Sequence, residues 1–241
     1  MTQTNKTQII DYWNKRATTF SEDKQAELES DHATSWLTEI SRYITIRPNM
    51  RILDIGTGAG FLAILCAQQG ATVNGIDLSP EMVHSAQQNA ARFQQTIDFQ
   101  IMDAESLNFD NQTFDVVIAR NVTWLLPHPK AAYQEWLRVL KQDGILINID
   151  ANYGQDSFTS YQDFTNDHAH AKLGDDMLTE SETIKQNLTI NKQPRPTYDF
   201  QLLLELGYED ITADTSVHGR VYQHQDAFYN PEPVFMLSVR K

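Results

Sequence analysis

Two periodicities divide the chain. Up to residue 47 the apolar positions keep helical spacing: Ile9, Ile10 and Trp13 form a small group, and Ala33, Trp36, Leu37, Ile40 and Ile44 recur until Pro48 interrupts the pattern. From Met50 onward, short apolar runs alternate with amphipathic stretches. Residues 52–55, 72–76, 98–101, 114–119 and 145–149 read as strands, and 61–69, 80–94 and 129–140 as helices. Gly70 closes the first of these helices, and Ser79-Pro80 supplies an N-cap and a first helical position for the second. Ala132, Trp136, Leu137 and Leu140 share one face of the third. This alternation implies a parallel sheet with helices on both sides.

Residues 151–198 break the rhythm: they are polar and carry Tyr153, Phe158, Tyr161 and Phe164. A compact domain rarely holds a structureless loop of that length, so the stretch is predicted to be a largely helical insertion covering one end of the sheet. A short helix over 200–206, ended by Gly207, and two closing strands over 208–212 and 234–239 complete the pattern.

Composition narrows the function. In 241 residues, 19 Lys+Arg face 32 Asp+Glu, a formal charge of −13, which argues against a broad footprint on nucleic acid or anionic lipid. The single cysteine, Cys66, excludes an intramolecular disulfide and a Cys-cluster zinc site, and in its apolar helix it reads as inert packing. The apolar stretches around 61–67 and 114–119 fall far short of a membrane span, and the opening residues lack the apolar core of a secretory signal, so a cytoplasmic protein is expected.

Candidate chemistry starts where the strand over 52–55 runs into Gly56-Thr57-Gly58-Ala59-Gly60 and then a helix. Glycines permit close backbone approach, and the helix start behind them presents unpaired N–H groups. The spacing is G-x-G-x-G, not the G-x-G-x-x-G of dinucleotide enzymes, and Asp54 sits two residues before the first glycine. A carboxylate there suits a ligand with an amino group and a sulfonium better than a pyrophosphate. Asp77, ending the second strand 21 residues after Gly56, is placed to accept both ribose hydroxyls of an adenosine. Asp103, after the third strand, is placed to accept from an adenine amine, with Met102 and Leu78 as apolar walls. Each alone could be a plain turn or cap aspartate; three at successive strand ends are more specific.

On these residues the sequence resembles the class I S-adenosylmethionine-dependent methyltransferases of the small-molecule type. The family's glycine motif matches LDIGTGAG, its ribose-binding acid Asp77 in GIDLSP, and its adenine-side acid Asp103. FDVVIARNVTWLL matches the fourth strand and its loop, and RVLKQDGILINID a helix-turn-strand, with Gln142-Asp143 where many members have Pro-Gly. The match covers about residues 48–150; GYEDIT and VFMLSVRK fit the family's antiparallel end, and DYWNKRATTF resembles an opening helix that folds over the cofactor.

The resemblance implies an α/β, Rossmann-like, doubly wound seven-stranded sheet, mostly parallel with an antiparallel last strand. It divides the chain into an N-terminal helical lid, 1–47, and a methyltransferase domain, 48–241, whose insertion 151–198 covers the substrate. It implies S-adenosylmethionine as cofactor, bound by Asp54, Gly56, Gly58, Gly60, Asp77, Leu78, Met82, Met102, Asp103 and Ala104, with Arg120 and Asn121 beside its methionine part and Tyr12 and Arg16 on the lid. Arg16 would face the cofactor carboxylate, or be a solvated arginine on a surface helix. Trp13, Trp124, Tyr153, Phe158 and Tyr161 would line the substrate pocket, although Trp124 also reads as core.

Methyl transfer from a sulfonium is an in-line displacement with a neutral leaving group, so alignment and water exclusion suffice and no triad is required. The catalytic candidates are Asn121, His168 and His170. His168 and His170, near Asp175 and Asp176, read as a general base or part of a metal site, or as histidines on a polar lid; no metal is expected. His128 lies in a loop near the same end of the sheet.

The expected partner is a small molecule, methylated at O, N, S or C, with no nucleic acid and no membrane. Base methylation of DNA usually goes with an Asn/Asp-Pro-Pro-aromatic motif, where this chain has Arg120-Asn121-Val122-Thr123-Trp124. The alternatives are a non-catalytic module binding S-adenosylmethionine or S-adenosylhomocysteine, methylation of a macromolecule, and a nicotinamide oxidoreductase, which the glycine spacing disfavours. Nothing in the sequence indicates the oligomeric state.

Overall fold

The computed structural model describes residues 2–155, 157–158 and 173–241. Two helices, α1 (Thr2–Leu28) and α2 (Asp31–Ser41), lead into β1 (Arg51–Ile55), α3 (Phe61–Gln68), β2 (Thr72–Asp77), α4 (Pro80–Arg92) and β3 (Asp98–Ile101). β4 (Phe114–Arg120), α5 (Pro129–Val139), β5 (Leu140–Ala151), α6 (Asp175–Asn187) and α7 (Thr197–Glu205) follow, then β6 (Ile211–Asp214), α8 (Val217–Val221) and β7 (Val234–Arg240). The strands form one sheet in the order β3-β2-β1-β4-β5-β7-β6. β1 to β5 pair in parallel, and β7 runs antiparallel to both β5 and β6. This is the Rossmann-like, doubly wound α/β sheet that the sequence implies.

The alternation of side chains along each strand feeds two cores. Ile52, Val116, Ile118 and Ile147 pack with Trp36 of α2, α3 and the inner face of α4. Leu53, Val117 and Leu146, their neighbours in sequence, point the other way onto Tyr133, Trp136 and Leu137 of α5 and Leu202 and Leu203 of α7. α4 starts as expected: Ser79 caps it, its Oγ accepting from the Met82 N–H at 3.1 Å, and Pro80 takes the first turn.

The differences from expectation have local causes. β5 begins at Leu140, where the helix was expected to end. Leu140 pairs with Phe114 and Ile145 with Val116, so the residues between bulge out. Asp143 sits there at φ +63°, its N–H donating to the Lys241 carbonyl at 3.0 Å. α7 starts at Thr197, directly after Pro196, rather than at 200. Its end is a Schellman motif: Gly207, at φ +89°, donates to the Leu204 carbonyl and Tyr208 to that of Leu203. That consumes Tyr208, so β6 begins at Ile211 rather than 208. α8 is a short helix without a sequence signal.

Within 151–198 the described part supports the helical expectation: α6 is followed by a 3-10 turn, Thr189–Lys192. Ile184, Leu188 and Ile190 pack on Ile9 and Tyr12 of α1, so α1 and this segment cover the same end of the sheet. Tyr161, Phe164, His168 and His170 lie outside the described residues.

Candidate active site

β1 and β4 are neighbours, yet the chain leaves them toward opposite edges of the sheet. Ligands bind such sheets in the crevice this reversal opens at the strand C-termini. A cavity of about 280 Å³ lies there, and α1 lies along it, contributing Lys6, Ile9, Tyr12, Trp13, Arg16 and Phe20 to its lining.

The glycine turn forms the floor. Gly56, Gly58 and Gly60 have φ of +59°, +52° and +88°, which side-chain-bearing residues rarely adopt. A Cβ on Gly56 would also lie 2.5 Å from Val122 Cγ2. Asp54 holds the turn against α3: its Oδ2 accepts from Thr57 Oγ1 at 2.6 Å and from the Ala63 N–H at 3.0 Å. Burial, only partly offset by these bonds, pushes its carboxyl up to about 7. Asp77 spans the turn and the next helix, accepting from Gly58 N–H and Ser79 N–H, each at 2.9 Å. Burial raises its pKa as well, against the backbone bonds.

Asp103 lies at the far end with Met102 and Ala104. Its Oδ2 receives Lys6 Nζ at 2.5 Å, and the same ammonium reaches Glu105 at 2.6 Å. Burial works against the Lys6 charge, but the two carboxylates outweigh it and raise its pKa. Leu78 and Met82 complete the apolar lining on this side. Nine of the ten residues that the resemblance assigns to the cofactor from Asp54 to Ala104 line this cavity; the tenth, Gly60, instead caps α3.

Beyond the glycine turn, Arg120 ends β4 stacked over the rings of Phe61 (4.3 Å) and Trp36 (4.9 Å). Its Nη2 donates to both oxygens of Glu27, at 2.8 and 2.9 Å, while Nη1 is buried with no hydrogen-bond partner. Lys24 shares the same carboxylate. Burial opposes charge on Glu27, yet the two cations hold it down at about 2. Arg16 is buried and lies 3.9 Å from Asp23, so it is not the solvated surface arginine of the alternative reading.

Asn121 adopts φ +59°, and its Oδ1 accepts from Tyr153 Oη at 3.1 Å. Tyr153 in turn accepts from Asn230 Nδ2 at 3.0 Å. Trp124 is part of the wall as well as the core: its indole donates to the Asn121 carbonyl at 3.0 Å, and Trp124, Tyr153 and Phe158 pack as a trio with centroids 5.2–5.7 Å apart. His128 pairs with Glu105 at 3.1 Å, away from this end. Among the described residues no cluster of His, Cys, Asp and Glu could hold a metal.

Several site residues escaped the sequence reading. Lys24 and Glu27 belong to a polar helix with no motif. Asn89 of α4 is fully buried, its Nδ2 donating to the Ala59 carbonyl of the glycine turn at 2.8 Å and its Oδ1 accepting from Gln25 at 2.7 Å. Tyr222, Phe228, Tyr229 and Asn230 wall the cavity from the connection before β7. Their only signal was an aromatic-rich stretch between two strands.

Comparison with known proteins agrees with this geometry. Residues 53–148 match the family described as methyltransferase domain. An uncharacterised protein of Mycobacterium tuberculosis is 35% identical over 101 residues, 42% of this chain and 37% of its own length. The ubiquinone biosynthesis O-methyltransferase of Coxiella burnetii is 31% identical over 119 residues, 48% of this chain and 50% of its own. The chain thus spans half or less of these relatives' lengths. In three dimensions it resembles an S-adenosylmethionine-dependent methyltransferase from Aquifex aeolicus, with a TM-score of 0.59 at 15% identity, covering 90% of this chain and 96% of the other. The domain match spans the core of the sheet, residues 53–148, and the fold is the one these S-adenosylmethionine-dependent methyltransferases have.

Proposed function

We propose that this protein transfers the methyl group of S-adenosylmethionine to a small molecule. The observation that carries this reading is the single cavity running from the glycine turn and Asp77 to the aromatic wall of Trp124, Tyr153 and Phe158, with α1 along its side. Its volume of about 280 Å³ is close to the lower end for small-molecule sites. The residues fit the cofactor: positive-φ glycines allow close approach, Asp77 offers carboxylate oxygens at the end of β2, and Arg16 is a cation buried beyond the turn.

When bound, the cofactor supplies an activated methyl group on a sulfonium. The chain's part is to bind, align and exclude water. Asp54 and Asn89 hold the glycine turn in shape, α1 and α6 shield the crevice, and Asn121 and Tyr153 fix the edge of the acceptor chamber. In this reading α1 and α2 are the lid and 151–198 the substrate cover. A net charge of −13 supports a small acceptor over a nucleic acid. The O-methyltransferase activity named for the Coxiella relative is compatible with an oxygen acceptor.

Calorimetric titration with S-adenosylmethionine, S-adenosylhomocysteine and NAD tests the reading. Micromolar binding of the first two, weakened at least tenfold in a folded Asp77→Asn variant, is expected. Binding of NAD alone, or of none, would refute it. Transfer of label from methyl-labelled cofactor into the low-molecular-mass fraction of a cell extract then separates an enzyme from a binding module.

A further inference from the structure

We propose that the acceptor is a planar aromatic molecule bearing an anionic oxygen, a carboxylate or phenolate, held by Arg120 Nη1. This rests on the methyltransferase reading and names its substrate class. The first observation is the unused donor. Arg120 lines the cavity, its side chain is only 9% exposed, and Nη1 has no partner while Nη2 is fully engaged by Glu27. A buried donor without an acceptor is costly, and a charged one more so.

The second observation is charge. At this end of the cavity three cations, Arg16, Lys24 and Arg120, face two carboxylates, Asp23 and Glu27, which leaves one positive charge in excess. The acids lining the cavity are Asp23, beside Arg16, and Asp54, Asp77 and Asp103 at the ends of β1, β2 and β3. The carboxylates behind the aromatic wall are engaged away from the cavity: Asp150 accepts from the Trp124 N–H at 3.0 Å and Glu182 from the Phe158 N–H at 2.9 Å, and neither lines it.

The third observation is shape. Trp124, Tyr153 and Phe158 form one wall, and Tyr222 and Tyr229, meeting edge to face with centroids 5.8 Å apart, form another. Arg120 lines the same cavity as both walls, its guanidinium held over Phe61 and Trp36. Burial raises the Tyr153 and Tyr222 phenols, so they stay neutral and do not repel an anion. Such a chamber takes a flat ring by its faces and one anionic oxygen at its edge.

The test uses the full chain saturated with S-adenosylhomocysteine and follows tryptophan fluorescence and calorimetry. The probes are benzoate, 4-hydroxybenzoate and trans-cinnamate, their uncharged primary amides, and benzylammonium. At least one acid is expected to bind tenfold or more tightly than its amide, and benzylammonium not at all. In Arg120→Met the acid-to-amide ratio is expected to fall toward one; a misfolded variant would lose both ligands, whereas loss of the preference alone shows the specific effect. The wild-type ratio decides the matter even if that variant does not fold. Equal binding of acid and amide, preference for the cation, or no aromatic binding to the loaded protein would overturn the proposal. So would an acid preference seen only without S-adenosylhomocysteine, since Nη1 would then belong to the cofactor. Failure to bind S-adenosylhomocysteine at all would instead remove the methyltransferase reading, and this inference with it.

Discussion

Replacing Arg195 by methionine removes the centre of a buried ionic network and should unfold the protein much more easily. Arg195, Asp150 and Asp199 all have fully buried side chains. Arg195 donates to Asp199 through Nε at 2.7 Å and Nη2 at 2.8 Å, and through Nη1 to Asp150 at 3.2 Å. Methionine fills similar space but strands two carboxylates. Breaking a buried pair from one side costs about 3–5 kcal/mol, which for a chain of this size lowers Tm by roughly 6–20 °C. The double variant Arg195→Met/Asp199→Leu should be less destabilised than the single one. Asp150 would still accept from Thr123 Oγ1, the Trp124 N–H at 3.0 Å and the Ala151 N–H at 2.9 Å. The loss should also depend on pH. Burial already raises the Asp150 pKa against the pull of Arg195, and removing that cation raises it further. The variant's folded state then holds a proton that its unfolded chain releases above the usual carboxylate range. Its deficit against wild type therefore grows as pH rises from about 4.5 to 7.5. Urea denaturation followed by circular dichroism at both pH values measures this. A loss under about 1 kcal/mol, a double variant worse than the single, or a deficit that shrinks with rising pH would refute the reasoning.

Three further outcomes follow from single contacts. A Cβ on Gly154 would lie 1.7 Å from the Asn191 carbonyl oxygen, a backbone atom, so Gly154→Ala should cost about 1–3 kcal/mol in urea denaturation. Asp54, with its carboxyl pushed up to about 7, is protonated in the fold where the unfolded chain would be ionised. Its contribution to stability is thus fully present below about pH 4 and is lost as pH rises through 7. Asp54→Asn should flatten that fall, and parallel wild-type and variant stability curves between pH 4 and 8 would contradict it. Asn89→Ala strips a donor from Ala59 in the glycine turn and an acceptor from Gln25 of α1, and should lower both Tm and S-adenosylhomocysteine affinity, the latter at least fivefold by calorimetry.

What was legible in the sequence and what was not divides along the range of the interactions. β1 and β4 could be placed to within a residue because each is an apolar run between turn residues with nearly every position buried, whereas β2 and the half-exposed edge strand β3 were placed by their position in the strand–helix alternation. Asp54, Asp77 and the glycines were legible because backbone geometry demands them locally: three positive φ values in five residues leave few other choices. Glu27 carries no such mark. It is a glutamate in a polar helix, and only the arrival of Arg120, 93 positions later, makes it a buried partner. Arg195 is the same case, with its partners Asp150 and Thr123 set 45 and 72 positions away. These two ion networks share a consequence. Each ties a covering segment, α1 or the stretch before α7, to the C-terminal end of β4 or β5, where the cavity opens. The covers are therefore held by buried charge as well as by apolar contacts such as Ile9 on Ile184. Charge pairs tolerate small displacement poorly, because each partner left behind is a stranded ion. A cover fastened in this way should hold one closed geometry, and that is what an in-line displacement sensitive to ångström-scale misplacement requires.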